Sequence, residues 1–180
     1  MMSFSKLKTI NDLPADEVIS ALQKEIRRCN FEAASFFAIE LLESGENFEK
    51  KFWERMMVIS VEDVSDLSVI PVIRSLKDNY SELKDAKVCD RHMQAIKAVK
   101  VLCDAKKDRI VSEIYDYISI KRKEGHKLTI PDYAIDMHTK RGKEKGLGYS
   151  HFINVSSKVN NEVKNKNKKY LNFLKENCKD

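Results

Sequence analysis

The side chains best suited to chemistry gather between positions 131 and 149. Pro131, Asp136, His138, Thr139, Lys140, Arg141, Lys143, Lys145 and Tyr149 share that span with Gly142, Gly146 and Gly148. Glycine is needed where the backbone takes positive φ or approaches another group closely. Cations interleaved with glycines beside a helix end make a site for an anion or for an acidic partner surface. A solvated helix end followed by a turn has the same composition. Asp136 and His138, with Thr139 beside them, imitate a base with an orienting acid. Residues two apart on a helix do not face each other, which argues against that pair. His92, His126, His138 and His151 are well separated and form no His-x-x-x-His pair. His138 and His151 are therefore read as structural or binding residues rather than catalytic ones.

Other reactive constellations are missing from the sequence. Gly142-Lys143-Glu144-Lys145-Gly146 has the flavour of a phosphate-binding loop, but neither its spacing nor a preceding strand. Glu62, Asp63 and Asp66 cluster as hard-cation ligands do. Their spacing matches no EF-hand loop, and helix capping explains them without metal. No serine or cysteine lies in a recognisable nucleophile turn. The expectation is a chain with no catalytic residues, no metal and no cofactor.

Composition narrows the class. The 180 residues are 42% apolar and 34% charged, which suits a helix-rich globular domain and argues against global disorder. No apolar run approaches the ~20 residues that span a bilayer, and residues 1–10 lack the apolar core of a secretory signal. Cys29, Cys89, Cys103 and Cys178 are scattered, with no C-x-x-C pair, as in a reduced cytoplasm. The net charge of +5 is segregated: residues 1–136 hold 22 Lys/Arg against 24 Asp/Glu, and residues 137–169 hold 9 against 2. Such segregation points to a polyanion or an acidic protein surface as partner.

The elements that position these groups read as helices. Pro14, Asp16 and Glu17 open a first helix, along which Val18, Ile19, Leu22 and Ile26 recur to about Arg28. Asn30 caps a second helix, Phe31 to Glu43, that carries the small pair Ala33-Ala34 and ends at Gly45. Asn47 is expected to cap a third, striped by Phe48, Phe52, Trp53, Met56 and Ile59, a pattern of core residues. A fourth follows Ser68, with Val72, Ile73, Leu76, Tyr80 and Leu83 on its apolar side. After a polar connection from Asp85 to Asp90, the fifth carries Met93, Ile96, Val99 and Leu102, and the sixth Ile110, Ile114, Tyr117 and Ile118. The short junction Asp104–Asp108 predicts that these two are antiparallel neighbours. Beyond Phe152, Val155, Val159, Val163, Tyr170 and Leu174 mark a marginal helix or a mobile tail rich in lysine and asparagine.

The ordered motifs resemble the C-terminal helical domain of the replication-associated recombination protein A family, which includes maintenance of genome stability protein A and the Werner-helicase-interacting protein. The matching residues are 22–28 (Leu22-Gln23-Lys24-Glu25-Ile26-Arg27-Arg28), Ala33-Ala34, Gly45, Arg55 with Glu62-Asp63-Val64, Ala98-Val99, Lys106, Pro131, Thr139-Lys140 and Gly146-Leu147-Gly148-Tyr149. They run in order from Val18 to Phe152. Departures are Val61 for the family's serine, Ser65 for its glycine, Leu67-Ser68-Val69 for A-D-P, and Ala105 for proline. The resemblance implies an all-α bundle of about six to eight helices related to the clamp-loader collar, with Arg55, Glu62, Asp63, Lys106, Gly146 and Gly148 as structural motif residues. It also implies homotetramer assembly, with an AAA+ ATPase or other replication proteins and DNA as partners. Full-length members carry the ATPase module ahead of this domain, so the chain is expected to be either a fragment or a stand-alone relative, and Met1 with its short tail before Pro14 favours the stand-alone reading.

The expected organisation is an N-terminal tail at 1–13, a collar-like domain at 14–153 and a basic helix or tail at 154–180. The expected function is a non-catalytic oligomerisation or scaffold domain in DNA replication or repair, located in the cytoplasm and away from membranes. The alternative is a nucleic-acid-binding module that uses the basic segment Lys140–Lys169. Its contact residues are Asp136, His138, Thr139, Lys140, Arg141, Lys143, Lys145, Tyr149 and His151. An enzyme built on Asp136, His138 and Thr139 is the least favoured reading.

Overall fold

Short connections and strongly apolar stripes force the first two-thirds of the chain into consecutive helices. The computed structural model describes residues 4–178. Among them are nine α-helices and no strand; two isolated antiparallel bridges, Lys8 with Pro14 and Val64 with Lys107, are the only sheet-like pairings. None of these helices is long and apolar enough to cross a membrane. The chain divides into two units, Met1–Lys123 and Glu124–Asp180. The expected boundary at 153/154 therefore falls inside the second unit.

The first unit is a bundle of α1 (Ala15–Arg27), α2 (Phe31–Glu43), α3 (Glu46–Glu62), α4 (Val69–Glu82), α5 (Val88–Asp104) and α6 (Ile110–Lys123). The chain packs α1 on α2, α2 on α3 and α5, and α4 on both α3 and α5. Asn30 caps α2 as expected, its side chain accepting the Ala33 amide at 3.4 Å. Asn47 does not cap α3. The N-cap is Gly45, at φ +107°, and the helix starts one residue later. Glycine has no Cβ to obstruct that turn, so the helix begins before asparagine can act.

Leu22, Ile26, Leu41, Phe52, Met56, Ile59, Ile73, Val99 and Leu102 form the fully buried centre. Ala34 and Ala38 of α2, with Ala95 and Ala98 of α5, are equally buried, so these two packed helices approach through small side chains. Trp53 packs edge-on between Phe52 (5.1 Å) and Tyr80 (5.3 Å). The Arg91 guanidinium lies 4.3 Å above the Tyr80 ring and pairs with Glu49 at 3.1 Å. Burial, and then the Glu49 carboxylate, push the Tyr80 phenol up to about 12.

Several expected core positions face outward. Val72 and Met93 are exposed, because Ile73 and Tyr80 of α4, and the two alanines of α5, occupy the inner faces instead. Of the segment read as a polar connection, Asp85–Asp90, only 86–87 link two elements: Asp85 ends a 3-10 turn (Leu83–Asp85) and α5 is already under way at Val88. The largest correction concerns α6: none of its residues is buried, and it packs on α3 rather than back along α5.

In the second unit a 3-10 turn (Asp132–Ala134) leads to α7 (Lys140–Glu144) and α8 (Tyr149–His151). A π-helical turn, Phe152–Ser156, and then α9 (Lys169–Asn177) follow. Ile135 and Ile153 are its buried apolar side chains. The helix expected from Val155 onward forms only at α9. Asn161 and Asn165 adopt φ of +54° and +59°, which no α-helix accommodates. The first unit holds 21 Lys/Arg and 21 Asp/Glu, the second 12 and 7, so the net charge of +5 belongs to the second unit.

Phe52→Ala should lower the unfolding free energy by about 3–5 kcal/mol in denaturant titrations, as buried aromatic truncations do. Phe36→Ala, at a residue 72% exposed on α2, should change it by less than ~0.5 kcal/mol. Equal effects at the two sites would contradict this core.

Candidate functional site

The stretch singled out by its chemistry folds as a knuckle around Asp136. One carboxylate oxygen accepts the His138 amide at 3.0 Å and the other lies 3.2 Å from His138 Nδ1. The Asp136 carbonyl accepts both the amide and the hydroxyl of Thr139 at 3.0 Å. Thr139 Oγ1 in turn accepts the Gly142 amide at 3.0 Å, capping α7. Gly142 is buried, and a Cβ there would collide with the Asp136 carbonyl oxygen. Helix α7 closes as a Schellman motif, Leu147 N–H donating to Gly142 O and Gly146 N–H to Lys143 O, both at 3.0 Å. Gly146 takes the left-handed φ of +67° that this closure needs. Gly148 is extended and caps α8.

The Asp136–His138 contact corrects the expectation that residues two apart cannot meet. The segment is a turn rather than a helix, so the carboxylate folds back over its own chain. The backbone N–H of His138, and then its ring, hold the Asp136 carboxyl below its ordinary value of 3.8. Phe152 packs edge-on against the His138 ring at 5.1 Å and lies 5.9 Å from Tyr149. His151 belongs to the same unit, with Nδ1 buried and without a hydrogen-bond partner.

What this knuckle can do follows from its commitments. The Thr139 hydroxyl donates to one backbone carbonyl and accepts one backbone amide, which fixes it as the cap of α7. Lys140, Arg141, Lys143 and Lys145 are exposed, and at 100° per residue they radiate around α7 on every side except that of Gly142. Lys140 is paired loosely with Glu144 at 3.8 Å. The cations do not converge on one point, so the knuckle presents charge to a surface rather than enclosing a small anion. Among the described residues no three His, Cys, Asp or Glu side chains lie together as a metal site would require.

A second constellation lies in the first unit, where α1, α3 and the α5–α6 junction meet. Asp63, the C-cap of α3, has 0% exposure. Its carboxylate accepts Arg27 Nε at 2.9 Å, Arg27 NH2 at 3.2 Å and Gln23 Nε2 at 2.9 Å. Arg109 Nε approaches it to 3.3 Å without hydrogen-bond alignment. Glu62 accepts Gln23 Nε2 at 3.1 Å and Arg27 NH2 at 3.4 Å. Arg55 and Arg109 flank it at 3.9 and 3.7 Å. Arg55 also donates to Gln23 Oε1. Asp63 thus ends α3 as its C-cap, and the carboxylates of Glu62 and Asp63 are the counter-ions of three arginines.

The same corner fixes where α6 begins. Asp108 N–H donates to Asp63 O and Ser65 N–H to Lys106 O, both at 3.1 Å. Lys107 Nζ reaches the carbonyls of Leu102, Cys103 and Ala105 at the end of α5. From there α6 runs beside α3 and leaves a groove of about 730 Å³, with Met57, Val58 and Val61 on one wall and Val111 and Tyr115 on the other. Glu62 and Arg109 also line it. Of the residues singled out by the resemblance, Arg55, Glu62 and Asp63 enter this corner with their side chains and Lys106 with its carbonyl. Arg109 and the groove were missed, although the Gln23–Arg27 spacing of four residues already marked one polar edge on α1.

Asp63→Ala should cost about 1–3 kcal/mol of stability, because it removes the buried acceptor of the Arg27 and Gln23 hydrogen bonds while Glu62 still faces the arginines; no measurable loss would contradict the network. The depressed Asp136 carboxyl stabilises the knuckle at neutral pH, and that contribution disappears as pH falls through its folded value. An NMR titration should therefore give Asp136 a midpoint below 3.8, with Thr139 amide protection lost over the same range; a midpoint above 3.8 would refute the geometry.

Compared with known protein families and with curated proteins, the chain matches none.

Proposed function

We propose that the chain is a non-catalytic oligomerisation and scaffold domain, related to the AAA+ replication-recombination ATPase family, and acts in DNA replication or repair. In this reading it self-associates, with a homotetramer as the expected state. An AAA+ ATPase or other replication proteins are its further partners. The observation that carries the reading is α6, a 14-residue helix with no buried residue. Helices of this length are marginal in water on their own and take their stability from packing an apolar face. Ile110, Val111, Ile114, Tyr115, Tyr117 and Ile118 are all exposed on it, a contiguous apolar surface of the kind that marks an interaction site.

A second reading, a nucleic-acid-binding module that uses Lys140–Lys169, is favoured by one observation: the second unit carries the whole net charge. Tyr149, Tyr170 and Phe173 are exposed in the same unit and offer some stacking surface. Four free cysteines suit a cytoplasmic setting. Burial raises the Cys103 thiol to about 11, which keeps it unreactive.

Light scattering after size exclusion, at low and at high salt, tests the scaffold reading. A tetramer of the 20.9 kDa chain at both salts is the expected result, and a monomer at both overturns it. For the second reading, DNA affinity should fall steeply with salt and weaken when Lys140, Arg141, Lys143 and Lys145 are replaced by alanine. No binding at low salt removes it.

A further inference from the structure

We propose that α6 of one copy packs antiparallel against α6 of a second copy, about a two-fold axis that passes near Ile114. The inference rests on the self-association just proposed and names its surface and geometry. At 100° per residue, Tyr117, Ile110, Ile114, Ile118, Val111 and Tyr115 fall in sequence around one arc of about 160°. Lys121 and Arg122 continue the same arc one turn beyond the apolar patch, and Glu113, Asp116, Ser119 and the exposed Ile120 lie on the other side. The arc is wide enough to bury against a neighbouring helix and still close over the α3–α6 groove.

Three features select a second copy, and an antiparallel one. The six side chains are between 48% and 71% exposed. At roughly half of ~200 Å² each they present about 600 Å², three-quarters of the ~800 Å² per partner of a standard stable interface. The arc is also self-complementary about its middle, as a two-fold contact requires. With Ile114 on the axis, Ile110 meets Ile118 of the other copy, and the small Val111 meets the large Tyr117. Finally, antiparallel pairing opposes the helix dipoles, which the parallel alternative would align; side-chain charge does not choose between them, because Arg122 would meet its own equivalent in the parallel arrangement and Lys106 of the other copy in the antiparallel one. Val58 and Val61, exposed on α3 along the groove, extend the surface for the tyrosines of the other copy.

Single cysteines test the geometry in the full chain, with Cys29, Cys89 and Cys178 replaced by serine and buried Cys103 retained. Under oxidation or with a short bismaleimide, Ile114→Cys should cross-link to itself. Ile110→Cys alone should not, and a mixture of Ile110→Cys with Ile118→Cys should give the mixed dimer. Ile114→Asp, at an exposed position that leaves the bundle folded by circular dichroism, should weaken self-association at least about tenfold. Self-cross-linking at both 110 and 118 overturns the antiparallel arrangement. An oligomer with none of these cross-links, and with a mass unaltered by Ile114→Asp, places the contact elsewhere and overturns this inference alone. In that case a different surface joins the copies and α6 serves another protein. A monomeric wild-type chain overturns the inference together with the reading beneath it.

Discussion

A fully buried carboxylate among arginines is the constraint on which the first unit is built. Asp63 caps α3 from inside the protein, where an unpaired charge costs several kcal/mol. That cost is offset by a bidentate Arg27 pairing and a Gln23 hydrogen bond. Both partners come from α1, four residues apart and so on one helical face. Requiring Arg27 and Asp63 to meet fixes the approach of α1 to the end of α3. The main chain of Asp63 then holds Asp108, and this sets the start of α6. One acidic residue thereby orients three separated parts of the chain.

The consequence reaches the surface. The polar anchor at its N-terminal end pulls α6 onto α3 instead of letting it fold back along α5. The helix is held at its root and left uncovered along its length. An apolar arc that would otherwise fill a bundle groove is turned outward. The division of charge between the units has the same economy. The neutral first unit supplies packing, and the second unit presents cations on a knuckle held together by its own hydrogen bonds.

Much of the fold was legible because amphipathic periodicity survives wherever a helix buries one face. The Phe48–Phe52–Met56 stripe and the Asn30 cap follow from side-chain spacing and local hydrogen bonding, and both stand in the structure. Periodicity does not say what an apolar face packs against. Ile110, Ile114 and Ile118 carry as strong a signal as Leu22 and Ile26, yet they are exposed. The polar corner was hidden for a related reason. Its members lie up to 86 positions apart, from Gln23 to Arg109, and no local rule links a carboxylate to a guanidinium at that distance. In the knuckle, the meeting of Asp136 and His138 escaped a helix-based argument because the backbone there is a turn.

The chain has a single tryptophan, and Trp53 sits 3% exposed between Phe52 and Tyr80. Selective excitation of the indole thus interrogates the first unit alone and leaves the second spectroscopically silent. Its shielded environment gives a blue-shifted emission that moves red only when the α3–α4 packing opens. Amide circular dichroism sums the helices of both units. Comparing the two signals through a denaturant series therefore separates the melting of the bundle from that of the basic unit, without labels or fragments.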